Sequence, residues 1–479
     1  MKKKILPLAL AAATGLVAST AQAVFVNPEG HGQVLLYPYY TVEGGNETYV
    51  NLVNTTDETK AVKVRILEAM NSQEVLDFNL YLSPQDHWSA VIYADPNGEG
   101  AVIKTADTSC TVPNLLAATD TSTAGPAVPF RNITYKTDGE DFRGLDRTRE
   151  GYIEVIEMGV LTDADDEAAV KHSSAGVPAD CGVVASNWNG GKWNADETAD
   201  VSLPTGGLYG YGVLINPSEG TDATYDAVAL ANFVDGVFDG LAAPIHAAPG
   251  SVLPALTQAT PVAQLVNASG TAVQEVVPVA GGQDIDAVSA VLMANSIMND
   301  FVLEPILNAS TDWVVTFPTK KVYVNNGTTT ATPPFTNVWD AAEAEACESI
   351  AITYYDREER GTEADPLDFS PQEPGQGIAL CHEANVISFN GGDALSASDR
   401  IATNLNVQHN NGWMEVNFVT ATAGERELAM EDSTTAAPVT LEGLPVVGFA
   451  VQKYVNTGAG SNAAALANYA GTVTHKVKR

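Results

Sequence analysis

The strictest constraint on the fold is a period-two alternation between residues 60 and 93. Val62, Val64 and Ile66 alternate with Lys63 and Arg65. Leu76, Phe78, Leu80 and Leu82 alternate with Asp77, Asn79 and Tyr81, and Trp88, Ala90 and Ile92 make a third run. Successive side chains of a strand point to opposite faces, so the pattern describes strands with one buried and one wet face and fits no helix. Polar breaks at 54–59 and 71–73 and a Ser83-Pro84-Gln85-Asp86 turn separate the runs. Two further runs, 33–42 and 48–54, flank Gly44-Gly45-Asn46. Five short strands joined by turns predict a mainly β chain, an antiparallel β-sandwich of immunoglobulin-like modules with long loops and one or two short helices.

The expected organisation is a sandwich-like module over 24–105, a loop-rich β region over 106–239, an Ala/Pro-rich linker or strap over 240–284, and a mostly β C-terminal region over 285–479. The prolines of the third segment argue against a long helix. One helix is expected from the stripe Val288, Val291, Leu292, Met298, Phe301 and Val302, with Asp284 as its N-cap, and a second over the Ala/Glu-rich stretch 339–350.

The N-terminus reads as an export signal. Lys2, Lys3 and Lys4 precede an apolar run over 5–17, and Ala21-Gln22-Ala23 offers the small-x-small pattern of signal-peptidase cleavage. The mature chain then begins at Val24. The apolar run is too short to span a bilayer, and no transmembrane helix is expected. The charge is lopsided, with 24 Lys+Arg against 59 Asp+Glu; losing the three leader lysines leaves 21 against 59, a net of −38. Such a surface repels nucleic acid and anionic lipid and attracts divalent cations.

Cys110, Cys181, Cys347 and Cys381 contain no C-x-x-C pair. In an oxidising compartment sequential pairing, Cys110–Cys181 and Cys347–Cys381, is expected because it keeps each bridge within one half of the chain; three connectivities are open. Cys381-His382-Glu383 reads as a disulfide cysteine beside a solvent-facing histidine rather than a nucleophile beside a base. The sequence has no H-E-x-x-H and no G-x-S-x-G. No cofactor is expected, with calcium the one candidate; Asp163, Asp165 and Asp166 are its candidate ligands. They open like an EF-hand loop, but Ala168 and Ser174 stand where the glycine and the acidic twelfth ligand belong, so a solvated acidic turn is the alternative. Trp188 and Trp193, in a Gly/Asn-rich stretch, are the candidate glycan-binding residues, because indoles flanked by amides suit sugar rings. The alternative is that both rings fold back over the sheet as a lid near Cys181.

The stretch from Gly30 to Tyr40, with 51–54, 75–84 and 312–320, resembles a group of uncharacterised, exported or surface-associated proteins of proteobacteria. The resemblance implies an envelope role in a Gram-negative cell and brings no active site with it. Two functions therefore compete. One is a non-enzymatic surface or matrix protein whose partners are copies of itself, envelope components or divalent cations. The other is an exported glycan-binding protein, with a weak hydrolase ancestry. Cell surface, extracellular medium and periplasm all fit.

Overall fold

The computed structural model describes residues 23–117, 127–234, 244–266, 273–325, 329–363, 369–370, 378–419, 422, 424–456 and 468–479. Residues 1–22 of the expected export signal lie outside them.

The alternating runs become strands as expected. The N-terminal sandwich uses β1 (Val34–Thr41), β2 (Glu47–Asn54), β3 (Lys60–Glu68), β4 (Glu74–Leu82), β5 (His87–Ala94), β6 (Ala101–Lys104), β7 (Cys110–Val112), β8 (Glu150–Leu161), β9 (Leu208–Asn216), β10 (Thr221–Asp226) and β11 (Val228–Ala231). Its first sheet runs β11-β1-β8-β3-β4-β7, with Phe25–Val26 outside β11; its second runs β10-β9-β2-β5-β6 and ends on Val128–Pro129. All these pairings are antiparallel. Strand β8 inserts between β1 and β3, so residues well beyond 105 complete the sheet begun by the first strands. Val62, Val64, Ile66, Phe78, Leu80 and Leu82 meet Val50, Leu52, Trp88, Ala90 and Ile92 between the two sheets.

The first sheet departs from the one-wet-face expectation. All eight residues of β1 and all twelve of β8 are buried. The charged alternates of β3 and β4 are covered and paired instead. Lys63 Nζ lies 2.9 Å from Asp77 and donates to Ala248 O, and Asn79 donates to Ala247 O. Arg65 pairs with Glu74 at 2.9 Å and Glu154 at 2.6 Å, and Lys60 with Glu157 at 2.8 Å. Residues 244–250 lie across this face as a strap, tied also by Ile245 N to Met158 O and Gly250 N to Asp77. A buried charge is tolerated only when paired and hydrogen-bonded, and these are.

The C-terminal half stacks two more sheets. β12 (Ser296–Val302), β13 (Ala309–Thr316), β14 (Ala351–Asp356), β15 (Ala384–Phe389), β16 (Asn411–Asn417), β17 (Val447–Tyr454) and β18 (Tyr469–Thr474) are their main strands. One sheet contains β14-β16-β12 and the other β15-β13-β17-β18. Trp313, Phe301, Phe389, Tyr354 and Met414 fill the space between them. The opposite face of the second sheet carries Val314, Val386, Phe449 and Val451 into the N-terminal core, where Phe449 stacks on Tyr225 at 4.6 Å. A small four-stranded sheet (263–266, 273–278, 427–432 and 438–442) completes the described fold.

The helices are short: α1 (Ala164–Val170), α2 (Gly182–Trp188), α3 (Lys192–Ala195), α4 (Asp286–Leu292) and α5 (Lys320–Val324). The expected stripe through Val302 is split. Its helix starts at Asp286 and stops at Leu292, and Met298, Phe301 and Val302 belong to β12; the N-cap position is Ile285, not Asp284. Pairing with β16 across the sheet outweighs the helical spacing there. The Ala/Glu-rich stretch 339–350 forms turns and a short strand, Glu348–Ser349, in place of a helix.

Candidate functional site

Trp188 ends α2 and Trp193 lies in α3, so the Gly/Asn-rich stretch is two helices joined by a turn rather than an open loop. Trp193 is fully buried, and stacks on Tyr81 of β4 with 5.4 Å between centroids and 5° between planes. Trp188 and His246 close the box at 5.4 Å and 4.8 Å from the Trp193 ring. The polar atoms are satisfied in one chain: Trp188 Nε1 donates to Tyr81 Oη at 2.7 Å, Tyr81 Oη lies 3.1 Å from His246 Nε2, and His246 Nδ1 lies 2.6 Å from Glu197 O. Burial drops the His246 pKa to about 4, so the ring is neutral, with Nδ1 donating to Glu197 and Nε2 accepting from Tyr81. The Trp193 ring is enclosed by its neighbours, and Trp188 is half-buried. The box is the lid, and the Cys110–Cys181 bridge pins it by joining β7 to the start of α2.

The acidic cluster is likewise committed to the fold. Asp163 caps α1, accepting from the backbone nitrogens of Asp165 and Asp166. Lys192 reaches Asp166 at 2.8 Å and Asp200 at 2.7 Å, and Asn187 donates to Asp166. Asp165 is on the exposed side of the same turn. A helix cap and a lysine thus engage oxygens of Asp163 and Asp166. The one group of His, Cys, Asp or Glu converging within metal-ligand range among the described residues is Glu345, Cys347 and Cys381, and both its sulfurs are spent in the Cys347–Cys381 disulfide. His382 is buried, not solvent-facing, and burial lowers its pKa to about 3. Its neighbour Glu383 accepts from Ser72 at 2.7 Å in the contact between the halves.

The outer face of the second sheet is open to solvent in part. On β9, Tyr209, Tyr211, Val213 and Ile215 point outward; opposite them on β2 stand Val53, Asn51, Tyr49 and Glu47, and on β5 His87, Ser89 and Val91 continue the rows. Every one is half-buried or exposed, while the intervening residues are buried. The reason lies in the sequence Tyr209-Gly210-Tyr211-Gly212. A Cβ at Gly210 would overlap Tyr37 Oη, and one at Gly212 the Tyr225 ring, so glycine alone lets these tyrosines enter the core. Tyr37 then donates to Asn51 O at 2.7 Å and Tyr225 to Tyr39 O, bolting the layers together. The tyrosines between the glycines face outward. The signal for this in the sequence is the glycine phase at 210 and 212, which assigns the larger residues of β9 to solvent.

The rim of this face is polarised. Asp222 and Asp226 stand on β10 at one edge, and Lys104 on β6 at the other. Four rows at about 6.8 Å spacing over three strands about 4.8 Å apart cover roughly 300–400 Å², about the size of the largest apolar patch on a typical monomer, and Glu47, Asn51, His87 and Ser89 interrupt it with polar groups.

The disulfides place the folded chain in an oxidising, exported environment. No helix of the described residues is long and apolar enough to cross a membrane. No family model, no curated protein and no solved structure matches the chain.

Proposed function

We propose that the chain is a non-enzymatic surface protein of the bacterial envelope that associates with copies of itself through the outer face of the second sheet. The observation that carries this reading is the row Tyr209, Tyr211, Val213 and Ile215, exposed or half-buried on a molecule whose sequence carries a net charge of −35. A second copy is the occupant that fits the rim. A two-fold axis through the face lays the Asp222/Asp226 edge of one copy over the Lys104 edge of the other. The patch is smaller than the ~800 Å² per partner of a stable dimer, so the contact is weak and is governed by the long-range repulsion of the acidic surfaces. Buried histidines, the Ser72–Glu383 pair and the aromatic box serve the fold, which is the profile of a scaffold. The resemblance to surface-associated exported proteins points the same way.

The test is sedimentation of residues 24–479 across salt and calcium. Raising ionic strength from about 0.01 M to 0.15 M shortens the Debye length from about 30 Å to about 8 Å, and association is expected to rise with it. Millimolar calcium, bridging carboxylates of neighbouring molecules, raises it further. The double variant Tyr209→Glu/Val213→Glu stays monomeric. A wild-type chain that is monomeric in every condition, or a variant that associates equally, overturns the reading.

A further inference from the structure

A partly exposed aromatic pair lies on the outer face of the sheet containing β14, β16 and β12. Trp413 on β16 is 40% exposed. It sits in register with Tyr355 on β14 and Asp300 on β12. One indole face stacks on Tyr355, at 4.7 Å and 15°. Tyr355 can lie flat because its partner on the other side is Gly361, where a Cβ would strike the ring. The other side of Trp413 borders the short, exposed Asp300.

Next to this platform is a cleft of about 320 Å³ lined by Glu304, Asp356, Arg357, Gln408, His409 and Asn411, among others. Asn411, two residues before Trp413 on the same strand, joins the two. It donates to Glu304 at 3.2 Å and accepts from Arg357 at 2.9 Å, which fixes its amide at the junction. The cleft loop is braced by Arg360 on Asp356 at 2.6 Å. Gln408 and Asn410 extend exposed from its rim.

We infer that this surface binds a neutral glycan chain of equatorially linked pyranoses. The C–H face of such a ring is flat and apolar and matches an indole held rigid by a stacked tyrosine. Its hydroxyls need carboxylates and amides beside the ring, and Asp300, Asn411, Glu304, Gln408 and Asn410 supply them. The charge selects the class: Asp300, Glu304, Asp356 and Glu358 outnumber Arg357 and Arg360, so uronic acids and sulfated sugars are repelled. The site is on a different sheet from the proposed self-association face and stands independently of it.

Titration calorimetry of residues 24–479 with cellohexaose and chitohexaose, against oligogalacturonate, tests the inference. Binding of at least one neutral hexamer in the micromolar to low-millimolar range is expected, with none of the uronate. Trp413→Ala should weaken it at least ten-fold and Trp413→Tyr much less. Should Trp413→Ala disturb the fold, by circular dichroism, the exposed pair Gln408→Ala/Asn410→Ala is read instead and should weaken binding several-fold. No binding of either neutral hexamer at 10 mM, preference for the uronate, or unchanged affinity in folded Trp413→Ala overturns the inference.

Discussion

Ser72 and Glu383, 311 residues apart in the chain, share a buried 2.7 Å hydrogen bond that joins the N-terminal sandwich to the C-terminal sheets. Ser72 in turn accepts from Tyr152 at 2.8 Å, and Lys321 Nζ donates to the Ser72 carbonyl at 3.0 Å. The same contact contains two more buried carboxylates. Glu150 accepts from Tyr39 on one side and from the Ser398 backbone on the other, and Asp312 accepts from Leu395 N. Burial pushes all three carboxyls up to about 7. Glu383 and Glu150 thus bridge the halves while keeping a proton well above the usual carboxylate range, and Asp312 keeps one within the C-terminal half.

That has a consequence for pH. A carboxyl whose folded pKa exceeds its unfolded value binds more protons when folded, so its contribution is full below the unfolded pKa and is lost as pH rises through the folded one. For Glu150 the window runs from 4.5 to about 7, worth up to about 3 kcal/mol at about 1.4 kcal/mol per unit. His246, His382 and His475, lowered by burial to about 4, 3 and 4, act with the opposite sign. Each binds fewer protons folded than unfolded, so its stability is lost as pH falls below 6.5. These opposed terms overlap between pH 4.5 and 6.5, and a single variant separates one of them. Glu150→Gln, which keeps an acceptor for Tyr39 and Ser398, should gain on the wild type by as much as about 3 kcal/mol between pH 5 and pH 8. Urea denaturation at the two pH values measures the difference; a gap independent of pH would show that Glu150 takes up no extra proton on folding.

Trp193 gives a prediction of the opposite kind from the one its sequence context suggests. A fully buried indole stacked on Tyr81 is a packing element. Trp193→Ala should cost about 3–5 kcal/mol, lower the melting temperature, and leave the binding of neutral sugars at Trp413 untouched in whatever fraction remains folded. A variant of wild-type stability would mean that the box is open in solution.

The strands and the layering were legible because alternation is a local signal: Val62, Val64 and Ile66 declare one face whatever lies above them. Lys63 and Arg65 were misread as wet for the complementary reason. Period two separates the faces of a strand but does not say what covers them, and here the cover is the chain near Ala247 and Ala248, some 180 residues away. The surroundings of the tryptophans are just as hard to read locally. Trp193 stands among turn-forming residues yet is buried and Trp188 beside it is half-buried, whereas Trp413 sits in an ordinary strand pattern and is exposed, because its strand faces outward. The cysteine pairing expected from proximity in the chain is the pairing in the structure, since each bridge closes a local excursion.

Gly210 links the core to the outward face. Its missing side chain leaves room for Tyr37, whose hydroxyl spans from the first sheet to the Asn51 carbonyl in the second. Gly210→Ala introduces a Cβ against both Tyr37 Oη and the Asn51 carbonyl, and one of these is backbone within a ladder that cannot move alone. The sheets must separate or the tyrosine must leave its rotamer. Overpacking of this kind costs about 1–3 kcal/mol or more. Removing the tyrosine makes space: Tyr37→Phe deletes the clashing hydroxyl and the hydrogen bond together. The double variant should therefore be destabilised by less than the sum of the two single ones, a coupling that thermal or urea unfolding of the four proteins measures directly. Additive effects would mean that the glycine is required for some other reason than the entry of Tyr37, and the outward placement of Tyr209 and Tyr211 would lose its explanation.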